Sequence, residues 1–233
     1  MIIDKEADDV NIRMPEDAYD TNDHVSTFNV YLIAIVRDPK GNIIKVHRQR
    51  SHSPTANFIG LLLPLTYFTA NNASVTLTNT TGSKYTYRPG LGGSYQDIAY
   101  PNSAFNHNVY VVMIQVGSGQ LSNPYNAYSL AAPIANGSGA GQLAYQPLVP
   151  PSNIVLNGNT AYFYISQSYN NLSGGTVTIT EVGIILELQT VIYNNTASTN
   201  YGNILIWYDV LSSPISVPNG GSVTIYYTFT VNP

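Results

Sequence analysis

The chain has no cysteine among its 233 residues, so no disulfide can staple the fold. Charge is almost as scarce: nine Lys and Arg and thirteen Asp and Glu make up 9% of the residues. All nine bases lie between Lys5 and Arg88, and beyond Arg88 only Asp97, Glu181, Glu187 and Asp209 are charged. No apolar run approaches the roughly 20 residues needed to cross a bilayer. The longest, FIGLLLPL from Phe58 to Leu65, is short and interrupted by Pro64. The opening MIIDKEADDVNIRMPEDAYD offers neither a basic nor an apolar region of signal-peptide type, so no cleavable secretory signal is expected. The nucleotide and hydrolase fingerprints are missing too. GSGAGQ and TGSK fit neither G-x-x-x-x-G-K-[ST] nor G-x-G-x-x-G, and there is no G-x-S-x-G elbow.

The charge that is present is segregated. Residues 1–23 carry eight acids and two bases, net −6, whereas residues 24–88 carry seven bases and one acid, net +6. Such a pattern predicts pairing of an acidic arm with a basic body, within a chain or between neighbours. Nucleic acid is not an expected partner, because the arm would neutralise the basic segment. The arm acids are Asp4, Glu6, Asp8, Asp9, Glu16, Asp17, Asp20 and Asp23. The basic docking surface would draw on Arg37, Lys45, Arg48, Arg50, Lys84 and Arg88. The rest of the chain is rich in Tyr (19 residues), Thr, Asn and Gly, which predicts an uncharged polar surface suited to life inside an assembly. Five N-x-[ST] sequons, at Asn72, Asn79, Asn136, Asn171 and Asn194, are what so much Asn and Thr produces by chance.

Alternation of apolar and polar residues marks strands throughout. FNVYLIAIVR and NIIKVHR flank the turn DPKG and read as a hairpin; VTLTNTTGSKYTYR reads as a second. Further strands are expected over 109–116, 143–146, 161–168, 174–189, 204–211 and 222–231. One helix is expected from Pro54 to about Tyr67, with Ser53 as N-cap and Pro64 bending it. Consistent parity assigns Val223, Ile225, Tyr227, Phe229, Val182, Ile184, Leu186, Ile204 and Ile206 to the core. About ten strands with Pro and Gly between them predict an all-β fold. The expected form is a jelly-roll-like β-sandwich over residues 26–233 with one short helix, preceded by the extended acidic arm of residues 1–25.

Few constellations suggest chemistry. In GGTVTITEVGIILELQ, apolar parity switches between Ile179 and Val182, which predicts a structural bulge at Glu181 and Gly183. Glycosidase chemistry would need a second carboxylate within about 9.5 Å. Glu187 is about 20 Å away along the strand, which leaves only Asp209, on a neighbouring strand. HRQRSH (His47 to His52) lacks metal-ligand spacing and suits a charged hairpin end better than a phosphate site. Asp17, Asp20 and Asp23 supply oxygens for Ca2+ without the spacing of an EF-hand loop. No catalytic residue, cofactor or metal site is assigned.

Three stretches carry a resemblance by their order and spacing: IQVGSGQLSNPYNAYSLAAPI (114–134), TVTITEVGI (176–184) and YDVLSSPISVPNGGSVTIYYTFTV (208–231). With the upstream HRQRSHSPTANFIGLLL, they cover about half of the chain and resemble a group of virion structural proteins of tailed phages and archaeal viruses. Tyr208 stands where that group has a basic residue. The resemblance implies a non-enzymatic virion subunit, of minor capsid, vertex, tail or adaptor type. Its implied partners are copies of itself and other virion proteins. The alternatives are a tip module that binds a receptor or host-surface glycan through Tyr and Asn, or, less favoured, a secreted glycoside-processing enzyme.

Overall fold

A computed structural model describes residues 27–51, 53–66, 75–87, 112–149, 153–191 and 198–232. The acidic arm, with Asp17, Asp20 and Asp23, and also Arg88, lies outside the described residues. In chain order the elements are β1 (Thr27–Arg37), β2 (Ile43–Ser51), α1 (Ala56–Thr66), β3 (Val75–Thr78), β4 (Lys84–Tyr87) and β5 (Val112–Gly117). There follow β6 (Ala144–Tyr145), β7 (Val155–Asn157), β8 (Thr160–Asn170), β9 (Val177–Val191), β10 (Ser198–Val217) and β11 (Ser222–Asn232). The described residues are thus mostly β with one short α-helix, and every named strand pair is antiparallel.

One sheet has six strands in the order β2-β1-β11-β8-β6, with β7 also on β8; a second runs β10-β9-β5; β3 and β4 form a separate hairpin. Alternation along β1 and β11 explains why the two larger sheets share a core. Val30, Leu32, Ala34 and Val36 of β1 and Val223, Ile225 and Tyr227 of β11 join Val177, Ile179, Val182 and Ile184 of β9 in one buried cluster. Of the nine residues assigned to the core from sequence, six are fully packed; Phe229, Leu186 and Ile206 are half-buried against it. At one end, Leu61 of α1 and Leu77 of β3 pack on Ile204 of β10 as a satellite cluster.

The turns follow local chemistry. In the β1–β2 hairpin Asp38 Oδ1 accepts from the backbone N–H of Lys40 (2.8 Å) and Asn42 (2.9 Å), closing an Asx-type turn. The Asn42 side-chain amide, donating to Oδ2 at 2.9 Å, is the main cause that holds the Asp38 carboxyl below its ordinary range. The sequons at Asn79 and Asn171 are similarly consumed. Asn79 Oδ1 accepts from the N–H of Thr81 (3.0 Å) and Ser83 (2.9 Å), and the Asn171 amide donates to Gly175 O and Val217 O, both at 2.8 Å.

The helix begins two residues later than expected, at Ala56, and Ser53 does not cap it. Pro54 bridges to Trp207, and Ser53 O accepts from Tyr208 N at 3.0 Å. Thr55 N donates to Ile206 O (3.0 Å) and Thr55 Oγ1 to Leu205 O (2.8 Å). Residues 53–55 are therefore held as an extended partner of β10, and the first helical bond starts only at Thr55, whose carbonyl accepts from Ile59 N at 3.3 Å. β10 itself is far longer than the eight residues expected. Its register against β9 slips between Asn200 and Gly202, Leu205 and Trp207, and Val210 and Ile215. These irregularities break the period-two pattern from which a strand is read.

Candidate functional site

The three stretches that carry the sequence resemblance converge in space on Glu181. This side chain is fully buried, with 0% exposure. Its Oε1 accepts from the backbone N–H of Ala132 (2.7 Å) and Gly119 (3.1 Å), and its Oε2 from the N–H of Ala131 (2.9 Å) and the hydroxyl of Tyr208 (2.8 Å). Four donors compensate the desolvated carboxylate, which is the condition for burying it at all. Next door, Thr180 Oγ1 donates to Gly119 O (2.7 Å), and Leu121 N donates to the Tyr208 hydroxyl (2.7 Å).

The arrangement explains the glycines. A Cβ on Gly117 would collide with Glu181 Oε1 and stand 2.7 Å from its Cγ; one on Gly119 would lie 2.6 Å from Ala131 Cβ. Only a bare backbone can come this close to the carboxylate. Gly183 is constrained from the partner strand, since a Cβ there would sit 2.6 Å from Leu205 Cδ1 and 2.9 Å from Trp207 O.

Parity does switch along β9, as Val177 and Ile179, then Val182 and Ile184, all enter the same cluster. The register irregularity lies beside Glu181, whose pairing with Val210 is the last before the slip to Ile179 and Ile215. The surplus residues of the slip are on β10, between Val210 and Ile215, while β9 stays continuous against β5 from Glu181 to Leu186. The close approach at Gly183 supplied a glycine that sequence reading took for a bulge mark.

The bonds to Glu181 clamp the loop of residues 118–131 onto the sheet face away from the shared core. Ala127 and Leu130 of the loop pack on Ile185, Leu205 and Tyr208, with Met113, Leu121 and Val210 alongside. Burial raises the Tyr208 hydroxyl well above its ordinary range; the bond from Leu121 lowers it and the Glu181 carboxylate raises it further.

Asp209 sits on the other face of the same sheet. It pairs with Val182, whereas Val210 pairs with Glu181, and successive side chains on a strand point to opposite faces. Glu181 and Asp209 are therefore not a facing acid–base pair. Asp209 Oδ2 accepts from Ser51 Oγ (2.5 Å) and the Tyr227 hydroxyl (2.9 Å), and Trp207 Nε1 donates to Ser51 Oγ. Burial, then the Asp209 charge, pushes Tyr227 well above its ordinary range.

Ser51 belongs to a row on β2 that faces the edge of β10. Lys45 Nζ donates to Pro214 O (2.7 Å) and Gln49 Nε2 to Val210 O (3.0 Å), while Gln49 Oε1 accepts from Ser212 N (2.8 Å). His47, which sequence analysis set in a charged hairpin end, is buried at 2.9 Å from Gln49 Oε1 and 3.3 Å from Ser213 Oγ. The opposite edge is covered alike: on β5, Ile114 N donates to Gln167 Oε1 (2.8 Å) and Ile114 O accepts from Tyr169 (2.6 Å).

Of the six bases assigned to a docking surface, Arg37, Lys45, Arg48 and Arg50 share the β1–β2 hairpin. Lys84 is exposed on the separate β3–β4 hairpin. Lys45 and Arg37 are partly engaged within the fold, Arg37 Nη1 donating to Gly41 O at 3.0 Å. Sequence reasoning missed the loop anchor because its members lie 62 residues apart for Gly119 and Glu181. The usable signal was a Gly-x-Gly and a lone carboxylate in a chain nearly devoid of charge. No helix among the described residues is long and apolar enough to cross a membrane. No protein-family model, curated protein or solved structure matches the chain.

Proposed function

We propose that this protein is a structural subunit of a virion, a minor capsid, vertex, tail or adaptor component that acts by packing against its neighbours rather than by catalysis. One observation carries the reading. Among the described residues from 112 to 232 the only charged side chains are Glu181, Glu187 and Asp209, and all three are buried, at 0%, 5% and 3% exposure. The exposed surface of that region holds hydroxyls, amides, Tyr rings and aliphatic side chains such as Ile154, Leu156 and Leu172, and no formal charge, so copies meet without the repulsion that keeps crowded soluble proteins apart. The six- and three-stranded sheets with their common core are interpreted as a jelly-roll-like sandwich, the form the resemblance implies.

Exposed charge among the described residues is confined to the β1–β2 hairpin and Lys84, which suits the docking of an acidic arm from residues 1–25 there. Opposite charges of this size steer encounter strongly while each exposed pair adds only about 0.2 to 1 kcal/mol. The purified full chain is expected to self-associate or co-assemble, more slowly as salt rises, and its peptides are expected in purified particles. A chain that stays monomeric at high concentration and is absent from particles would refute the proposal.

A further inference from the structure

The clamped loop presents a segment most of whose side chains the fold leaves exposed. Residues 122–129 read SNPYNAYS, the tyrosine, asparagine and serine mixture of binding loops, in which rigid rings supply contact area and amides and hydroxyls supply adaptable hydrogen bonds. Tyr125 and Tyr128 are 54% and 45% exposed, yet Ala127 between them and Leu130 beyond are buried anchors. The Pro124–Asn126 turn of 3-10 helix stiffens the tip, and the Tyr128 ring rests against the β3–β4 turn, within 3.6 Å of where a Cβ on Gly82 would stand.

Elsewhere Asn57, Asn79, Asn136 and Asn171 engage their side chains in turns and strand contacts. Asn123 caps nothing with its side chain, and neither it nor Asn126 has an internal side-chain partner. Together with Ser122 and Tyr128 they line a depression of about 320 Å³, at the lower end of the size of small-ligand sites. No charged residue lines it.

We infer that this depression is a binding site for a neutral carbohydrate, with the Tyr128 ring of its lining, and the Tyr125 ring exposed on the same loop outside that lining, stacking on the C–H faces of a sugar and the Asn123 and Asn126 amides meeting its hydroxyls. Absence of charge disfavours sialylated or sulfated sugars, whose anionic groups would lose water without gaining a cation. The clamp at Glu181 holds the loop ready before the ligand arrives, which lowers the ordering cost of binding. The inference is independent of the virion reading, since a binding module outside a virion could use the same loop.

The test is the full chain on an array of neutral gluco-, manno- and galacto-oligosaccharides beside sialylated and sulfated ones, followed by titration of the best neutral probe. Binding to neutral probes is expected, weakened at least tenfold by Tyr125→Ala or Tyr128→Ala and several-fold by Asn126→Ala. The melting temperature should be unchanged, and Tyr164→Ala, an exposed tyrosine on β8, should bind as the parent does. The site is refuted if no neutral probe is held at millimolar concentration, if only acidic probes bind, or if binding survives both tyrosine substitutions. It is equally refuted if those substitutions abolish self-association while no sugar binds, since the loop would then be a protein contact.

Discussion

Glu181 and Asp209 are both buried carboxylates on adjacent strands, but they are held by different kinds of partner. Glu181 is satisfied chiefly by backbone N–H groups of a loop, fixed in direction and unable to turn away. Asp209 is satisfied by the hydroxyls of Ser51 and Tyr227, which rotate and can donate or accept. The first therefore fixes where a loop lies; the second ties β10 to β2 and β11, joining one sheet to the other. A carboxylate bound by backbone is intolerant of substitution, whereas one bound by hydroxyls has an alternative hydrogen-bonding pattern at hand.

Alkali should break both anchors and produce the largest effect. Tyr208 donates to Glu181 and Tyr227 to Asp209, and both hydroxyls are raised by burial. Tyr145, whose hydroxyl donates to Ile134 O at 2.8 Å, is pushed up to about 12, also by burial. A phenol raised in the folded state contributes stability that is whole below its unfolded value near 10 and is lost as pH climbs through the folded value. Tyr145 alone should cost about 2 kcal/mol by pH 12. Denaturant unfolding should show a plateau up to about pH 10 and a steep fall beyond it; an unchanged midpoint at pH 12 would contradict the burial of these phenols.

Glu181→Gln comes next. It sets an NH2 group among N–H donors that cannot turn, leaving at least one orphaned, and should cost about 3 kcal/mol, or a Tm drop of about 6 to 12 °C. Limited proteolysis should cut first between residues 118 and 131. Gly117→Ala attacks the same anchor sterically and should cost about 2 kcal/mol, with the same proteolytic signature. Asp209→Asn should cost only about 1 kcal/mol, because the Ser51 and Tyr227 hydroxyls can reorient, and the loop should stay resistant to cleavage. If Asp209→Asn proved as damaging as Glu181→Gln, the contrast between backbone and hydroxyl partners would fail.

The strands of the shared core were legible because β11 alternates cleanly and β1 carries a continuous apolar run, and six of nine assigned core residues are fully packed. The length of β10 was not, since slips beside Gly202, Ile206 and Leu211 to Pro214 scramble its period. Strand β7 was missed because Val155, Leu156 and Asn157 are all exposed and show no two-sided pattern. The helix start was misplaced because Pro54 is favoured at a helix N-terminus on local grounds, and only β10, about 150 residues on, holds Pro54 and Thr55 extended. At the anchor, Glu181 was singled out by its neighbours in the sequence. Its partners were not, because a backbone N–H has no residue type to betray it.

The charge-free surface from residue 112 onward has a consequence for the conditions the protein tolerates. Among the described residues it offers no exposed Asp, Glu, His or Lys to gain or lose a proton. It likewise offers no ion pair for salt to screen. Contacts made through that surface would be blind to brine, whereas those of the β1–β2 hairpin, with its arginines and lysines, would weaken as salt rises. One chain thus carries a salt-responsive region and a salt-indifferent one.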